Sequence, residues 1–461
     1  MKICGSPSTL FRNPKGWSIH SQISTFSNSQ ISLKFLPYFR PMPFEENYPV
    51  LQNANLQSVA EEFGTPLYVY DAETIKRQYE HLRKVFTGVK LKIKYACKAN
   101  SNLAIMKYLR NLGAGLDVVS IEEAIIGIKA GYRPEEILFT PNSVSFEEIK
   151  MAVELGVVIN IDNIGILEQF GHEYGDAVPC CIRINPNIAA GGNVHIQTGH
   201  IDSKFGISIH QLRHIERIVT SCKMRVNGLH IHTGSEILDS SVFIRMAELM
   251  FEAATSFPNL EFIDFGSGFK VAYKEGDYIT DIDELGKEFT QLFKNFCKLY
   301  GRELELWFEP GKFLVSEAGV LLVKVNTVKQ TMATVFVGVN SGQNHLIRPM
   351  FYDAYHHIIN LSNPGGKQRI YTVVGYICET DTFGWDRKMN EVHEGDLLAI
   401  LNAGAYGYTM SNNYNSRLRP AEVFIVDGKA HLVRRRERVE DLLRTQSDLE
   451  IPELKLTTTN E

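Results

Sequence analysis

The sequence has few cysteines, no long hydrophobic run and no large excess of charge. Its seven cysteines among 461 residues include no Cys-x-x-Cys pair, and an odd number in a chain of this length favours reduced thiols in the cytoplasm over a disulfide framework. No apolar run approaches the roughly 18 residues of a membrane span. The net charge of −5 gives no reason to expect a nucleic-acid partner. We therefore expect a soluble protein that binds neither nucleic acid nor membranes.

Acidic residues are absent from residues 1–44, which contain five Lys or Arg and eight Ser, and the first carboxylate is Glu45. A basic, serine-containing start without acids is typical of an organelle transit peptide, although no clean amphipathic helix is visible. The alternative is a disordered or misassigned start, with Met42 as the more natural first residue. We favour this alternative, and with it a cytoplasmic location, and exclude the segment from the fold prediction.

The remaining chain, 44% hydrophobic over its full length, is long enough for a large core and two domains. A short strand at Thr65–Tyr70 precedes a helix that starts near Asp71. Apolar stretches rich in Val, Ile and Phe then alternate with helical patterns. There are eight of them: Leu91–Lys98, Gly115–Ser120, Ile137–Pro141, Val157–Asp162, Cys180–Pro186, Val226–Gly234, Phe262–Gly268 and Leu304–Gly311. This alternation predicts a (β/α)8 barrel, an α/β fold.

After about Lys312 the pattern changes to β-runs with little helix. These runs are Gly319–Val328, Thr334–Gly338, Arg369–Val374, Leu397–Leu401, Glu422–Val426 and His431–Arg434. They predict a separate β-domain, a sandwich or barrel. We place the barrel at residues 85–318 and the β-domain at residues 319–461, and expect residues 45–84 to contribute to the β-domain.

In a (β/α)8 barrel the functional side chains lie at the C-terminal ends of the strands. The polar residues at those ends are Lys98, Asp117 with Ser120, Arg183 with Asn185, His230 with His232, Asp264 with Gly266, and Glu309. An amine partly desolvated at a strand end has a lowered pKa and can form an imine with an aldehyde. Lys98 is the candidate, although it could also be a solvent-exposed lysine, and Lys94 points to the same side of the strand. Its position favours Lys98.

The sixth strand ends with His230 and His232, for which three interpretations are open. They could be half of a metal site, which would need further ligands from other strand ends. They could fill the barrel interior. Alternatively, one ring packs flat against a planar ligand while Gly234 and Ser235 offer donors to an anion.

The end of the seventh strand suits a phosphate group, and the end of the eighth strand suits a cation. The seventh ends with Asp264-Phe-Gly-Ser-Gly268, whose glycines let backbone N–H groups approach a phosphate closely. The eighth ends with Glu309-Pro-Gly-Lys312, and burying the Glu309 carboxylate is costly unless it meets a partner. A protonated pyridine nitrogen would be such a partner.

Taken in order, Tyr95–Asn100, the His-x-His-x-Gly-Ser of strand six, the Gly-Ser-Gly of strand seven and Glu309–Gly311 resemble one family. It is the pyridoxal 5'-phosphate (PLP) dependent decarboxylases of basic amino acids with an alanine-racemase-like barrel, over roughly residues 60–445. The resemblance implies that Lys98 carries the cofactor as an aldimine and that His232 stacks on its ring. It also implies further cofactor contacts from Ser235, Gly266, Gly268, Glu309, Gly311 and Tyr406, with Glu309 on the pyridine nitrogen and no metal.

Further stretches resemble the branch of this family that converts meso-2,6-diaminopimelate to L-lysine and CO2. They are Thr198–Gly206, Arg348–Tyr352, Cys378-Glu379 and Asn413–Glu422. The resemblance implies substrate contacts from Lys312, Arg348, Tyr352, Glu379 and Tyr406. Arg348 suits a distal carboxylate and Glu379 a distal ammonium. The resemblance also implies that Cys378 donates the proton to the carbanion from a second subunit, in a homodimer with shared active sites.

The sequence departs from the family at two positions. Lys312 stands where arginine is usual, so a guanidinium that can make two parallel hydrogen bonds is replaced by a single ammonium group. Ser267 stands where glycine is usual. The alternatives are another decarboxylase of this family, acting on ornithine, arginine or carboxynorspermidine, an alanine-racemase-type enzyme, an inactive regulatory homologue, or a metal-dependent barrel hydrolase. Arg348 argues against ornithine and arginine, and the anionic Glu309 argues against a racemase.

Overall fold

The computed structural model describes residues 50–51, 54–188, 199, 202–274 and 276–450. The segment 1–44 and residues 198, 200 and 201 of the family-like loop lie outside these residues. Two short strands, β1 (Val50–Leu51) and β2 (Ala54–Asn55), precede helix α1 (Leu56–Phe63). No helix in the described ranges has both the length and the apolar character needed to cross a bilayer.

Eight parallel strands close into a barrel. They are β4 (Lys90–Ala96), β5 (Gly115–Val118), β6 (Ile137–Phe139), β7 (Val158–Ile161), β8 (Cys180–Asn185), β10 (Val226–His230), β11 (Phe262–Asp264) and β12 (Glu305–Phe308), with β9 (Ile207–Ser208) beside β8. Pairing of β4 with β12 and of β8 with β10 completes the ring. The predicted (β/α)8 barrel is confirmed, with all eight strands at the expected places.

Helices alternate with the strands around the barrel, and the first of them precedes β4. They are α2 (Ala72–Val85), α3 (Leu103–Leu112), α4 (Ile121–Lys129), α5 (Phe146–Glu154), α6 (Ile164–Tyr174), α7 (Leu212–Ser221), α8 (Ser240–Ala254) and α9 (Ile282–Tyr300). Most begin at an Asp, Asn or Ser whose side chain accepts a hydrogen bond from a backbone N–H in the first turn, as Asn102 does for α3 and Ser120 for α4. Such caps satisfy N–H groups that have no partner within the helix. They fix where each loop at the C-terminal end of the barrel stops.

The second domain is a mixed β-sheet. Its strands are β3 (Leu67–Asp71), β13 (Gly319–Gln330), β14 (Val335–Val339), β15 (Ile358–Asn360), β16 (Gln368–Val374), β17 (Thr382–Asn390), β18 (Leu397–Ile400), β19 (Ala421–Val426) and β20 (Lys429–Arg434). The order is β17-β16-β14-β13-β3-β19-β20, and β18 pairs with β13 and β15. Strand β3 lies in the middle, antiparallel to β13 and parallel to β19. Residues from before the barrel are therefore built into the domain that follows it.

Close contacts join this sheet to the barrel. A Cβ atom on Gly404 would overlap the carbonyl oxygen of Val315, just before β13. Beyond Gly404, the backbone N–H of Tyr406 donates to the carbonyl oxygen of Ala99 at 2.8 Å, and the Thr409 hydroxyl donates to the same oxygen at 3.3 Å. The β-domain thus reaches the end of the first barrel strand, where Lys98 lies. Three short helices complete the described chain: α10 (Lys312–Val315), α11 (Arg348–Tyr352) and α12 (Val439–Leu443).

Candidate active site

A cavity opens at the C-terminal end of the barrel. Its wall combines strand ends with one residue of the β-domain. It is lined by Ala96, Lys98, His232, Ser235, Ser267, Gly268, Phe269, Glu309, Gly311, Lys312, Phe313 and Tyr406. Eight residues predicted from the sequence therefore surround one space, in the place where barrel enzymes hold their substrates.

Lys98 lies in the short 3-10 turn Cys97–Ala99 that follows β4. Its Nζ is 3.0 Å from Oδ2 of Asp117, a fully buried carboxylate that also accepts a hydrogen bond from the Thr140 hydroxyl. Burial alone would lower the pKa of Lys98, but Asp117, followed by Tyr406 and Glu309, outweighs burial and raises it. The predicted lowering of this pKa is therefore wrong for the cofactor-free chain, because the amine is paired with a buried acid.

Lys94, the competing candidate, lies near the opposite end of the barrel. Its Nζ donates to the carbonyl oxygen of Glu136 at 3.0 Å and sits 4.2 Å from the centre of the Trp307 ring. Burial lowers the pKa of Lys94 to about 8. A lowered pKa thus marks the lysine that is remote from the cavity, while position at the strand end marks the one that lines it.

His232 and His230 have separate environments. His232 lines the cavity, and its Nδ1 accepts a hydrogen bond from the backbone N–H of Ser267 at 3.3 Å. His230 lies behind the wall, with Nε2 3.0 Å from Oε2 of Glu309. Burial lowers the pKa of both rings well below its usual value, and Arg183 adds to the effect. Both histidines are therefore neutral at physiological pH.

Glu309 lies deep in the cavity wall and is only 7% exposed. Burial raises its pKa, against the opposing effect of Lys98 and Arg183. One carboxylate oxygen, Oε2, meets His230, whereas Oε1 is buried without a hydrogen-bond partner among the described residues. Asp264 Oδ2 is buried without a partner in the same way, and the two carboxylates interact. Because orphaned buried acceptors are costly, a donor from a bound ligand would stabilise this pair.

His230, Asp264 and Glu309 form the one group of metal-ligand residue types found in the described part of the chain. Their ligand atoms lie within 4.8 Å of one another, and all three residues are buried. The group is compact enough for a cation, as the metal interpretation of the histidines requires. However, the 3.0 Å separation of His230 and Glu309 already satisfies a hydrogen bond between a neutral ring and a carboxylate.

Two glycines shape the wall between strands six and seven. Gly266 and Gly268 have φ angles of 58° and 129°, a backbone region that side chains other than glycine rarely adopt. A Cβ atom on Gly266 would come within 2.7 Å of His232 Nδ1, and one on Gly268 within 2.7 Å of the Gly234 carbonyl oxygen. With Ser235 beside them, they form a narrow cradle of backbone and hydroxyl groups that suits a phosphate.

The residues predicted for the far end of the substrate are placed in two regions. Lys312 lines the cavity and its Nζ lies 2.7 Å from Oε1 of Glu236. Arg348 is buried, with its guanidinium 5.6 Å from the Tyr273 ring centre and 5.8 Å from that of Tyr352. Sequence reasoning missed Glu236 as a site residue, although it directly follows the Gly-Ser that ends strand six.

Cys378 and Glu379 do not line the cavity of their own chain. Both are exposed, in a loop held by the Asp381 carboxylate, which accepts a hydrogen bond from the Ile377 backbone N–H at 2.8 Å. The Glu379 carboxylate accepts hydrogen bonds from the Tyr414 hydroxyl at 2.8 Å and from Gln343 Nε2 at 2.7 Å. These two predicted residues therefore lie outside the lining of the cavity, as do Gly266, Arg348 and Tyr352.

Known proteins resemble this chain over most of its length. A family model described as "Pyridoxal-dependent decarboxylase, pyridoxal binding domain" matches residues 72–316. The diaminopimelate decarboxylase of Methanothermobacter thermautotrophicus is 38% identical over 416 residues, which cover 87% of this chain and 96% of the relative. That of Bacillus subtilis is 36% identical over 404 residues, covering 84% and 92% respectively. The crystal structure of diaminopimelate decarboxylase from Helicobacter pylori complexed with L-lysine has a TM-score of 0.78 and 33% identity, covering 85% of this chain and 98% of that one.

Proposed function

Because this chain belongs to the pyridoxal-dependent decarboxylases, and within them to the diaminopimelate decarboxylases, we propose that it decarboxylates meso-2,6-diaminopimelate to L-lysine and CO2. This reaction is the last step of lysine biosynthesis. The observation that carries the proposal is the similarity along nearly the whole length of these relatives, joined to a cavity that holds the Lys98 amine and one orphaned carboxylate oxygen.

The cavity fits pyridoxal phosphate at three separate points. Lys98 places an amine at the end of the first barrel strand, Glu309 Oε1 lacks a donor among the described residues, and the cradle at Gly266 and Gly268 has no room for a side chain. We assign the phosphate to this cradle with Ser235, Gly311 and Tyr406, the ring to the face of His232, and the ring nitrogen to Glu309. When bound, the cofactor supplies an electron sink for the pair left on the α-carbon as CO2 departs.

The protein's own residues control protons around this centre. Glu309, held by neutral His230, would favour a proton on the ring nitrogen of the bound cofactor, because a carboxylate stabilises the cationic form. Neutral His232 would pack on the cofactor ring without adding a charge that competes with Glu309. Lys98 is protonated beside Asp117, and its Nζ must lose that proton before it can act as a nucleophile.

We assign recognition of the distal end of the substrate to two regions. Arg348, Lys312 and Tyr352 receive the distal carboxylate, and Glu379 receives the distal ammonium. The buried guanidinium of Arg348, which has no carboxylate within ion-pair distance among the described residues, supports an anionic ligand there. A substrate such as ornithine has no distal carboxylate to meet it.

Cys378 and Glu379 enter this proposal through a second copy of the chain. Both are exposed and absent from the lining of their own cavity, and Glu379 contacts the exposed side chain of Tyr414. We propose a homodimer in which this loop completes the partner's active site, where Cys378 delivers a proton to the α-carbon. A cytoplasmic location is also part of the proposal, because the six cysteines in the described ranges are all unpaired.

The test is to incubate the purified full chain with pyridoxal phosphate and meso-2,6-diaminopimelate, and to measure lysine and CO2. We expect both products in equal amounts, and borohydride reduction should label the peptide that contains Lys98. Turnover of ornithine instead would refute the substrate and leave the cofactor assignment intact. Absence of a label at Lys98, together with a metal in the purified protein, would favour the cation interpretation of His230, Asp264 and Glu309.

A further inference from the structure

Glu236 occupies a constrained position between Ser235, which precedes it in the chain, and Lys312, its ion-pair partner, both of which line the cavity. Its φ angle is 63°, in the left-handed region that residues other than glycine seldom adopt. The next residue is held in place, since the Ile237 backbone N–H donates to the Gly268 carbonyl oxygen at 2.8 Å and Ile237 pairs with Phe269. The backbone therefore fixes where the Glu236 side chain begins, immediately after the predicted phosphate contact of Ser235.

The Glu236 carboxylate lies among cations. Its Oε1 is 2.7 Å from Lys312 Nζ, and the Glu236 and Lys312 side chains are 23% and 8% exposed. Burial raises the pKa of Glu236, but Lys312 and Arg348 outweigh burial and hold it below its usual value. Lys270, a weaker contributor, is already paired with Asp277 at 2.6 Å. Glu236 is thus ionised and faces two basic side chains of the proposed substrate site.

Arg348 completes the local charge pattern. It is 5% exposed, and its Nε is buried without a hydrogen-bond partner among the described residues. Its contacts include the Tyr273 hydroxyl, 3.4 Å from Nη2. The charge of Glu236 acts on Arg348, but no contact ion pair satisfies the guanidinium among the described residues, so a bound anion would stabilise it. Two cations and one anion together complement a ligand group that carries both a carboxylate and an ammonium.

We propose that Glu236 is a specificity-determining residue that shares the ammonium of the substrate's distal amino acid head with Glu379 of the proposed second subunit, while Lys312 and Arg348 take its carboxylate. This inference rests on the proposed function and deepens it. In the free enzyme Glu236 holds Lys312, and a zwitterionic head replaces that single ion pair with two. A substrate with a distal carboxylate but no distal amine must compete with Glu236 for Lys312, and it has no ammonium to form an ion pair with the Glu236 carboxylate.

The test compares meso-2,6-diaminopimelate with 2-aminopimelate, which has the same two carboxylates and lacks the distal amine. In Glu236→Gln we expect the KM for diaminopimelate to rise about tenfold or more, because an ammonium loses a charged partner, with kcat little changed. For the analogue that lacks the distal amine, the KM, or the inhibition constant if turnover is slow, should stay unchanged or fall. Affinity for L-lysine, which keeps the same head, should fall about tenfold by calorimetry.

Two variants serve as controls. Glu236→Asp keeps the charge and should retain most of the preference for diaminopimelate, while Glu252→Gln removes an exposed carboxylate on α8 and should change neither constant. If Glu236→Gln weakens both ligands equally, Glu236 merely holds Lys312 and the inference is refuted. If the wild-type protein releases no lysine from diaminopimelate, the proposed function itself fails, so the two failures are distinguishable.

Discussion

The charge on Lys98 depends most strongly on the buried carboxylate of Asp117. Their 3.0 Å contact raises the pKa of the amine although burial acts in the opposite direction. A protonated amine has no lone pair for a carbonyl, so in the proposed function cofactor uptake at Lys98 requires loss of this proton. In that proposal Asp117 tunes the step that loads the enzyme.

We predict that Asp117→Asn lowers the pKa of Lys98, because it removes the strongest influence that keeps the amine protonated. The pH at which half of the protein is labelled by pyridoxal phosphate and borohydride should then fall by about one unit or more. The matched control is Asp176→Asn, which alters an exposed carboxylate on a turn. An unchanged or higher midpoint in Asp117→Asn would contradict the pairing.

We predict that Gly266→Ala reduces affinity for pyridoxal phosphate at least tenfold, because its Cβ atom would press on His232 Nδ1 and adopt a strained φ angle. Equilibrium dialysis with the full chain measures this. Gly301→Ala provides the control, since Gly301 has a φ angle of 79° at the end of α9 but no atom within 4 Å of the added carbon. It should cost about 1 kcal/mol of folding free energy and leave affinity for the cofactor intact.

At the scale of single residues, the sequence predicted which side chains lie at strand ends better than it predicted the side chains that they contact. Lys98, His232 and Glu309 each follow an apolar strand, a local pattern that is visible without a structure. The contact between Glu236 and Lys312 joins positions 76 residues apart, so nothing local reveals it. The sign of the pKa shift at Lys98 was wrong for the same reason, since Asp117 lies on the next strand.

Among the elements, apolar barrel strands were predicted best. These strands are covered on both faces and show as near-continuous hydrophobic runs. Strands β15 and β17 were not predicted. Strand β17 contains Gly384, Asp386 and Lys388, which disfavour a strand locally, yet it pairs antiparallel with β16 along most of its length. Pairing with a neighbour, which sequence patterns do not report, makes it a strand.

The segment that leads into β15 contains a histidine that should make stability depend on pH. His356 is fully buried and its Nδ1 donates to the Leu401 carbonyl oxygen at 2.8 Å, while burial and then Arg348 lower its pKa to about 3. In the unfolded chain His356 has an ordinary histidine pKa, so it binds a proton at pH values where His356 of the folded protein stays neutral. Stability is therefore lost as pH falls below about 6.5 and towards the folded pKa.

We predict that His356→Asn, which keeps a donor near Leu401 and cannot titrate, removes on the order of 2 kcal/mol from the loss of stability between pH 7.5 and pH 5. Denaturant unfolding at both pH values measures the difference. His431→Asn, at an exposed position on β20, should leave the pH dependence as it is in the wild-type protein. Equal slopes for wild type and His356→Asn would contradict the expected titration.

For the whole molecule, the joint between barrel and sheet, by which we mean the contacts of Gly404 with Val315 and of Tyr406 with Ala99, determines where Tyr406 lies. We predict that Gly404→Ala pushes the β-domain segment away from Val315 and Ala99 and lowers affinity for pyridoxal phosphate, because Tyr406 no longer reaches the cavity wall. Gly365→Ala, which meets no atom within 4 Å, is the control. Cofactor titration followed by absorbance distinguishes the two variants, and equal affinities would refute this role of the joint.

The proposed homodimer makes a second prediction at this scale. Lys98→Ala and Cys378→Ala should each be nearly inactive, but mixing them under conditions that exchange subunits should restore up to about a quarter of wild-type activity. Half of the random dimers are then mixed, and each has one intact site built from Cys378 of one subunit and Lys98 of the other. Activity that stays at the sum of the two variants would show that the loop does not complete a partner's site.

Strand β3 has a consequence for how the nascent chain matures. All five of its residues are buried in the finished sheet, yet the strands that cover them, β13 and β19, leave the ribosome only after the barrel has been synthesised. During translation β3 therefore has neither β13 nor β19 to pair with while some 250 intervening residues are synthesised and fold. A strand synthesised before the barrel is therefore among the last to pair with its neighbours.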